Sequence, residues 1–297
     1  MDLESLNTLV AVARTGSFAA HARDAGVDPS SISRVVANLE RELGVRLFER
    51  TTRRLDLTEA GRLYLDRIAP LLEELEGATD AVRDVATEPA GRLRVTASVA
   101  FGERWLLPHM AGFRERFPRI ELDLLLTDAV LDLAGESVDI GIRLGQRVTG
   151  SLIATKLFDS RYRIVASPSY LERAGRLRVP ADLSGRDCVV FPYVGFRSLW
   201  RLRQRKGGAI EEVVPRVALT VSNALAIRRA ALDGFGVAML AEWTVESDLR
   251  RGTLVDLFPA HDASATDFES AAWIVYPSRA YTPARVRAFV DYLKSVA

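Results

Sequence analysis

Ser17-Phe18-Ala19-Ala20-His21-Ala22-Arg23-Asp24-Ala25-Gly26-Val27-Asp28-Pro29-Ser30-Ser31-Ile32-Ser33-Arg34 is the stretch whose reading decides the fold of the N-terminal region. Ser17 suits a helix N-cap, and Gly26 can close the helix Phe18–Ala25 in a left-handed turn. Asp28 caps a further helix with Pro29 at its first position, where a missing N–H costs nothing. Ala22, Gly26 and Ile32 then fall at offsets of four and six. Where two helices cross through a tight turn, the first must be small, the second must tolerate positive φ, and the third must plug the gap with apolar bulk. Each residue fits its task, and the spacing predicts a helix-turn-helix.

Outward from this stretch the pattern holds. Leu3, Leu6, Leu9, Val10 and Ala13 lie at helical spacing upstream. Downstream, Ile32, Val35, Val36 and Leu39 carry the third helix to about Leu43, and Gly44 ends it. Val45–Arg50 and Arg54–Leu57 flank the polar turn Thr51-Thr52-Arg53, which predicts a β-hairpin, or wing. Thr58 caps a long helix reaching about Ala86, ahead of Pro89-Ala90-Gly91, with Pro70 predicting a kink. Leu65, Ile68, Leu72, Leu75, Thr79, Val82 and Ala86 follow alternating steps of three and four, a seam that wants a partner helix. A dimerisation helix is expected; packing on its own domain is the alternative.

From Arg92 onward strands and helices alternate, the signature of an α/β sheet. Strands are predicted at Leu93–Ala97, Ile120–Leu126, Val138–Ile142, Leu152–Phe158 and Tyr162–Ala166, with a helix over 102–117. A second α/β unit holds Cys188–Phe191, Arg216–Val221, the helix Ala224–Leu232 and the strand Gly236–Leu240. Strand Ala271–Tyr276 and helix Pro283–Val296 return to complete the first sheet.

Charge narrows the function. The net charge is +1, and residues 1–60 carry eight Arg against nine Asp and Glu. Any nucleic-acid footprint must therefore be local. The segment Arg34 to Arg54 supplies one, with Arg34, Arg41, Arg46, Arg50, Arg53 and Arg54. The start of the helix at Pro29 offers Ser30, Ser31, Ser33 and Arg34 to base edges and phosphates in a major groove. Arg53, with Arg54, stands at the wing tip, where it can enter a minor groove. The alternative leaves the serines as solvated caps and Arg34 as a surface ion-pair partner.

Phe18-Ala19-Ala20, Pro29-Ser30-Ser31-Ile32-Ser33-Arg34, the run Leu39 to Arg50 and Leu57-Thr58-Glu59-Ala60-Gly61 together resemble the N-terminal signature of LysR-type transcriptional regulators. The motif match covers residues 1–65, and the architecture agrees along the rest of the chain. The resemblance implies an α/β protein with an all-α winged helix-turn-helix over 1–58 and a linker helix over 59–88. A periplasmic-binding-protein-like effector domain follows over 91–297, its first subdomain spanning 91–162 plus 267–297 and its second 163–266. It further implies self-association as dimer or tetramer, double-stranded operator DNA as partner, and a small-molecule effector. Members of the family often carry Gln where this chain has Pro29, so one habitual base contact is missing here.

In open α/β folds ligands sit at the carboxyl ends of strands, near helix N-termini. Ser98-Val99-Ala100-Phe101-Gly102 after the first strand, Thr127 after Leu126, Arg143-Leu144-Gly145, and Ser222-Asn223-Ala224 match that position. Ser98, Ala100, Phe101, Gly102, Thr127, Arg143, Gly145 and Asn223 are accordingly candidate effector contacts, and their donors favour a small organic acid. Ser98 and Asn223 are equally plain N-caps, and Arg143 can pair with Asp139 or Glu136. Phe196, Arg197 and Trp200 lie in a stretch read as irregular, with core packing preferred to cleft lining.

Other classes find little support. His21, His109 and His261 are scattered without metal spacing, no nucleophile elbow or phosphate loop occurs, and neither an enzyme nor a cofactor or metal is expected. The lone Cys188, in the apolar run Cys188-Val189-Val190-Phe191, reads as a buried small hydrophobe. A solute-binding or transport-associated protein would use the same α/β fold, but Met1-Asp2-Leu3-Glu4 does not begin a secretory signal. No apolar run approaches a membrane span, and a cytoplasmic location is expected.

Overall fold

Residues 2–50, 55–86, 88–129, 133, 138–147, 152–205, 207–277 and 281–297 are described in a computed structural model of the chain. They divide into two compact units, Met1–Glu88 with Arg279–Ala284, and Pro89–Ser278 with Arg285–Ala297.

The first unit contains α1 (Leu3–Thr15), α2 (Phe18–Ala25), α3 (Pro29–Leu43), β1 (Phe48–Arg50), β2 (Leu55–Leu57) and α4 (Glu59–Ala86). The caps act as the sequence predicts. Ser17 Oγ accepts the Ala20 N–H at 3.3 Å, and Asp28 Oδ1 accepts the Ser30 N–H at 2.7 Å. Gly26 and Gly44 close α2 and α3 at φ 67° and 72°, a conformation that side-chain-bearing residues adopt rarely. Ala22 is fully buried where the helices cross, and Ile32 joins Leu9, Val12, Val36, Leu39, Leu47 and Phe48 in one core. β1 and β2 pair antiparallel, Phe48 opposite Leu57. The expected wing tip, with Arg53 and Arg54, lies outside the described residues. α4 continues through Pro70. Tyr64 and Leu65 near its start pack on the core, Leu72 is buried, and Leu63, Leu71, Leu75 and Val82 face outward.

The second unit runs through β3 (Gly91–Ala97), α5 (Val99–Phe101), a wide π turn (Gly102–Leu106), α6 (Leu107–Arg116), β4 (Ile120–Leu126), β5 (Ile140–Gly145) and β6 (Leu152–Asp159). Next come β7 (Tyr162–Ala166), α7 (Pro168–Ala174), β8 (Asp187–Val190), α8 (Val194–Ser198), β9 (Trp200–Gln204), β10 (Ile210–Val213) and β11 (Arg216–Thr220). It closes with α9 (Ala224–Leu232), β12 (Val237–Ala241), α10 (Glu242–Arg251), β13 (Val255–Asp256), β14 (His261–Ser264), β15 (Ala271–Pro277) and α11 (Ala284–Val296).

Two sheets result. The first has the order β4-β3-β5-β15-β6, with β3 parallel to β4 and β5, and β15 antiparallel to β5 and β6. The second has the order β10-β9-β14-β7-β12-β8-β11, with β13 beside β7. The chain passes from the first sheet to the second between β6 and β7 and returns between β14 and β15, so two short crossovers join two lobes. Leu93, Val95 and Ala97 of β3 pack with Phe113 and with Phe289 and Leu293 of α11. In the second sheet strand alternation divides the core. Cys188, Val190, Val237 and Met239 face one cluster, and Val189, Ala238 and Leu240 face another. Both faces are covered, which is why these strands read as continuous apolar runs.

Four local readings change. β5 extends past Ile142, so Arg143 and Gly145 end the strand instead of following it. The helix after Ser98 begins at Val99 and widens at once into the π turn, where the sequence read a regular helix from 102. The stretch read as irregular holds α8 and then the hairpin β9–β10, in which Trp200 and Leu202 are buried while their neighbours Arg201 and Arg203 are not. α7 and α10 are further elements that the sequence reading passed over.

Candidate functional site

Two arrangements carry chemistry, one in each unit. In the first, α3 buries Ile32, Val36 and Leu39 and turns Pro29, Ser30, Arg34, Ala37, Asn38 and Arg41 outward. Steps of three and four put Ser30, Arg34, Ala37 and Arg41 on one stripe. Ser31 and Ser33 sit at its half-buried margin, and the Ser31 hydroxyl donates to the Asp28 carbonyl, which caps its own turn. The Ser30 hydrogen bonds hold the Asp28 carboxyl below its ordinary value.

The hairpin is fixed to its neighbouring helices by Glu40 and Thr58. Glu40 Oε1 accepts the N–H groups of Leu47 (2.8 Å) and Phe48 (3.1 Å), tying α3 to the start of β1. Thr58 Oγ1 donates to the Arg46 carbonyl at 2.7 Å and accepts the Gly61 N–H at 2.9 Å, so it caps α4 and clamps the base of the hairpin together. Gly61 lies against the Leu47 backbone, where a Cβ would stand 2.0 Å from the Leu47 oxygen. The motif Leu57-Thr58-Glu59-Ala60-Gly61 thus sets where α4 leaves the wing.

The second arrangement is a cleft of ≈ 460 Å³ between the lobes of the larger unit, mostly apolar in lining. Among the sequence-derived candidates Ser98, Ala100, Thr127, Arg143 and Gly145 line it. Three others do not. Phe101 is fully buried in the first lobe's core, packed on Trp105 at 5.1 Å and Trp243 at 5.3 Å between ring centres. Gly102 is buried against Leu126, where a Cβ would come within 2.4 Å of that side chain, so it is a packing glycine. Asn223 spends its Oδ1 on the N–H groups of Leu225 (2.9 Å) and Ala226 (3.1 Å) as the α9 cap, and only its neighbours Ser222 and Ala224 reach the wall.

The cleft also uses residues outside those candidate contacts. Phe191, Tyr193 and Phe196 form a packed aromatic wall with ring centres 5.0–6.4 Å apart, and Tyr162 adds its edge to Phe196 at 5.6 Å. Trp243, Thr244 and Ser270 also line it, as does Asp128 beside Thr127. Phe196, for which core packing was preferred, both packs on the second lobe's core and lines this wall, whereas Trp200 is wholly in the core. Burial lowers the Arg143 guanidinium below its ordinary value. Flat aromatic surface suits a ring or other planar apolar body, and the hydroxyls and the guanidinium suit a polar end.

Cys188 is fully buried, and burial pushes its thiol up to about 12. A thiol so protonated is a poor nucleophile. Ellman's reagent at pH 8 is expected to leave the native protein unmodified and to report one thiol per chain in denaturant; rapid reaction of the native protein would contradict this.

Comparison with known proteins matches both parts of the chain to one family. The LysR substrate binding domain matches residues 86–297, and the bacterial regulatory helix-turn-helix protein, lysR family, matches residues 3–62. The transcriptional regulator PtxR of Pseudomonas aeruginosa is 35% identical over 295 residues, covering 99% of this chain and 92% of that protein. The regulator CrgA of Neisseria meningitidis is 34% identical over 290 residues, covering 98% and 95%. The solved structure of CrgA superposes with a TM-score of 0.63 at 32% identity, covering 100% of this chain and 99% of that one. The full-length virulence activator AphB of Vibrio cholerae gives 0.62 at 26% identity, covering 99% of both chains. With a helix-turn-helix and an effector domain matched in one polypeptide, the solute-binding alternative no longer accounts for the whole chain. This protein belongs to the LysR family, as a DNA-binding transcriptional regulator controlled by a small-molecule effector.

Proposed function

We propose that the outward stripe of α3 reads operator DNA in the major groove, Pro29, Ser30 and Arg34 at the base edges and Ser31 and Ser33 at the margin. Asn38 shares that face, and its amide suits an adenine edge. Arg53 and Arg54 at the wing tip reach the neighbouring minor groove or backbone. The observation that carries this reading is a helix buried on one side while its exposed side presents arginine and small polar residues in register. Arg34→Ala is expected to weaken binding to a selected operator by ~1–3 kcal/mol, about fivefold to 150-fold, and to relax base preference at one position. Fluorescence anisotropy on matched and mismatched duplexes reads both quantities; unchanged affinity and preference would sink the assignment.

In this reading the chain divides into a DNA-binding head over 1–58, a linker helix over 59–88 and an effector domain over 91–297, with lobes of 91–162 plus 267–297 and of 163–266. Leu71, Leu75 and Val82 are exposed on α4, at 58%, 46% and 74%, which supports pairing of this helix with a second copy. Such dimers assemble further into a homotetramer in the cytoplasm. The cleft holds a small organic acid, its ring or chain against the aromatic wall, and the protein acts by binding, without catalysis. Effector and DNA then affect each other's affinity by the same factor.

A further inference from the structure

Among the described residues the cleft wall carries one carboxylate, that of Asp128, and it is engaged on both sides. Its Oδ1 accepts the Val99 N–H at 3.2 Å, the first amide after the Ser98 cap. Its Oδ2 accepts the Asn223 side-chain amide at 2.6 Å. Asp128 and Val99 belong to the lobe of the first sheet, whereas Asn223 caps α9 on the lobe of the second. A single carboxylate therefore joins a backbone donor of one lobe to the capping side chain of the other, across the mouth of the cleft.

The same wall holds a buried hydroxyl with no protein partner. Thr244 is 1% exposed, lines the cleft, and its Oγ1 has no hydrogen-bond partner among the described residues. Buried hydroxyls are seldom left unsatisfied, so one on a cavity wall suits a polar ligand atom or a water. The cleft thus suits a polar ligand, yet one donor at its Ser98 end, the Val99 N–H, is already taken by an internal anion. A ligand carboxylate arriving there meets a like charge in a half-buried setting, which disfavours both. It can take the Val99 N–H only if Asp128 lets go, and Asp128 then also releases Asn223.

We propose that Asp128 is a built-in competitor for the acidic group of the ligand and, through Asn223, the latch that holds the two lobes together until a carboxylic acid displaces it. This rests on reading the cleft as the effector site. Asp128 would act as a positioning residue, setting both the charge preference of the site and the tie between lobes.

Two measurements on the full-length protein test it. In the first, Asp128→Asn, Asn223→Asp and the double exchange are melted without ligand. Each single change breaks the amide–carboxylate bridge, and the exchange restores it with the partners reversed. Each single variant is expected to melt lower and the exchange to regain most of the loss; an exchange that loses the sum of both would overturn the latch. In the second, benzoate and its neutral isostere benzamide are titrated by calorimetry into the unsubstituted protein and Asp128→Asn. Benzoate is expected to bind the variant about tenfold or more tightly, with benzamide unchanged within about twofold. Equal benzoate affinity in both proteins, or an equal gain for both compounds, would overturn the competition. Silence of both compounds in both proteins would count against the cleft as a site for such acids, a failure of the underlying reading; the melting comparison judges the latch independently.

Discussion

Gly61→Ala is expected to destabilise the DNA-binding unit by ~3 kcal/mol or more, at or above the upper end of ordinary overpacking costs. Helix propensity argues the other way, since alanine inside a helix is favoured over glycine by about 1 kcal/mol. The sign is decided by geometry. A Cβ would lie 2.0 Å from the Leu47 oxygen and 2.8 Å from its carbonyl carbon, and both atoms are backbone that cannot rotate aside. Leu47 is fully buried, and its N–H is held by Glu40, so the hairpin has little room to yield. Denaturant unfolding should show the loss, and on the proposed mode of DNA reading operator affinity should fall with it as the wing is displaced from α3. An equally stable variant that binds DNA normally would remove Gly61 from this role.

Asp248→Ala is expected to cost the effector domain ~3–5 kcal/mol, the usual penalty for breaking a buried ion pair from one side. Asp248 is 1% exposed; both its oxygens accept from Arg228 at 2.5 Å, and Arg251 donates to one of them at 3.0 Å. Removing the carboxylate leaves Arg228, 15% exposed, with its charge uncompensated. The pair matters to the site because Arg228 lies on α9, which starts at Asn223, and Asp248 lies on α10, which carries Trp243 and Thr244. Burial pushes the Asp248 carboxyl up, but Arg228 and Arg251 together outweigh it and leave the group below its ordinary value. A depressed carboxyl contributes stability that is present above the unfolded value near 4 and lost as pH falls through the folded value. The gap between the unsubstituted protein and Asp248→Ala should therefore narrow at acid pH. A loss under ~1 kcal/mol at neutral pH would show that the pair contributes no more than a surface bridge.

What the sequence disclosed follows the range over which each interaction acts. Ser17, Gly26, Asp28 and Gly44 bound α2 and α3 through contacts a few residues away, so these helices were legible from type and position alone. The runs at Leu93–Ala97 and Cys188–Val190 announced buried strands by composition. The hairpin β9–β10 carried a legible signal as well, alternation at Trp200 and Leu202 ahead of Gly207-Gly208, which the nearby aromatic residues obscured. Glu40 stands in the sequence as one carboxylate among the arginines of the basic segment; its work on the Leu47 and Phe48 amides depends on how α3 meets the wing. Asp128 was out of reach, because its partner Asn223 lies 95 residues away and only the folded cleft brings them together. Phe101 and Gly102 misled for the converse reason. Their place after a strand is typical of ligand loops, but the tight junction with Leu126 and Trp243 turns both into the core.

On the proposed function, α3 and the wing together form a rigid, sequence-reading surface. Selection of the full-length protein against a pool of random duplexes, followed by affinity measurements on the winners across a salt series, tests it most directly. The account predicts enrichment of a two-fold-related sequence, with the logarithm of affinity falling linearly against the logarithm of salt as phosphate counterions are released. A pool that stays random after selection, or binding that ignores salt, would contradict it.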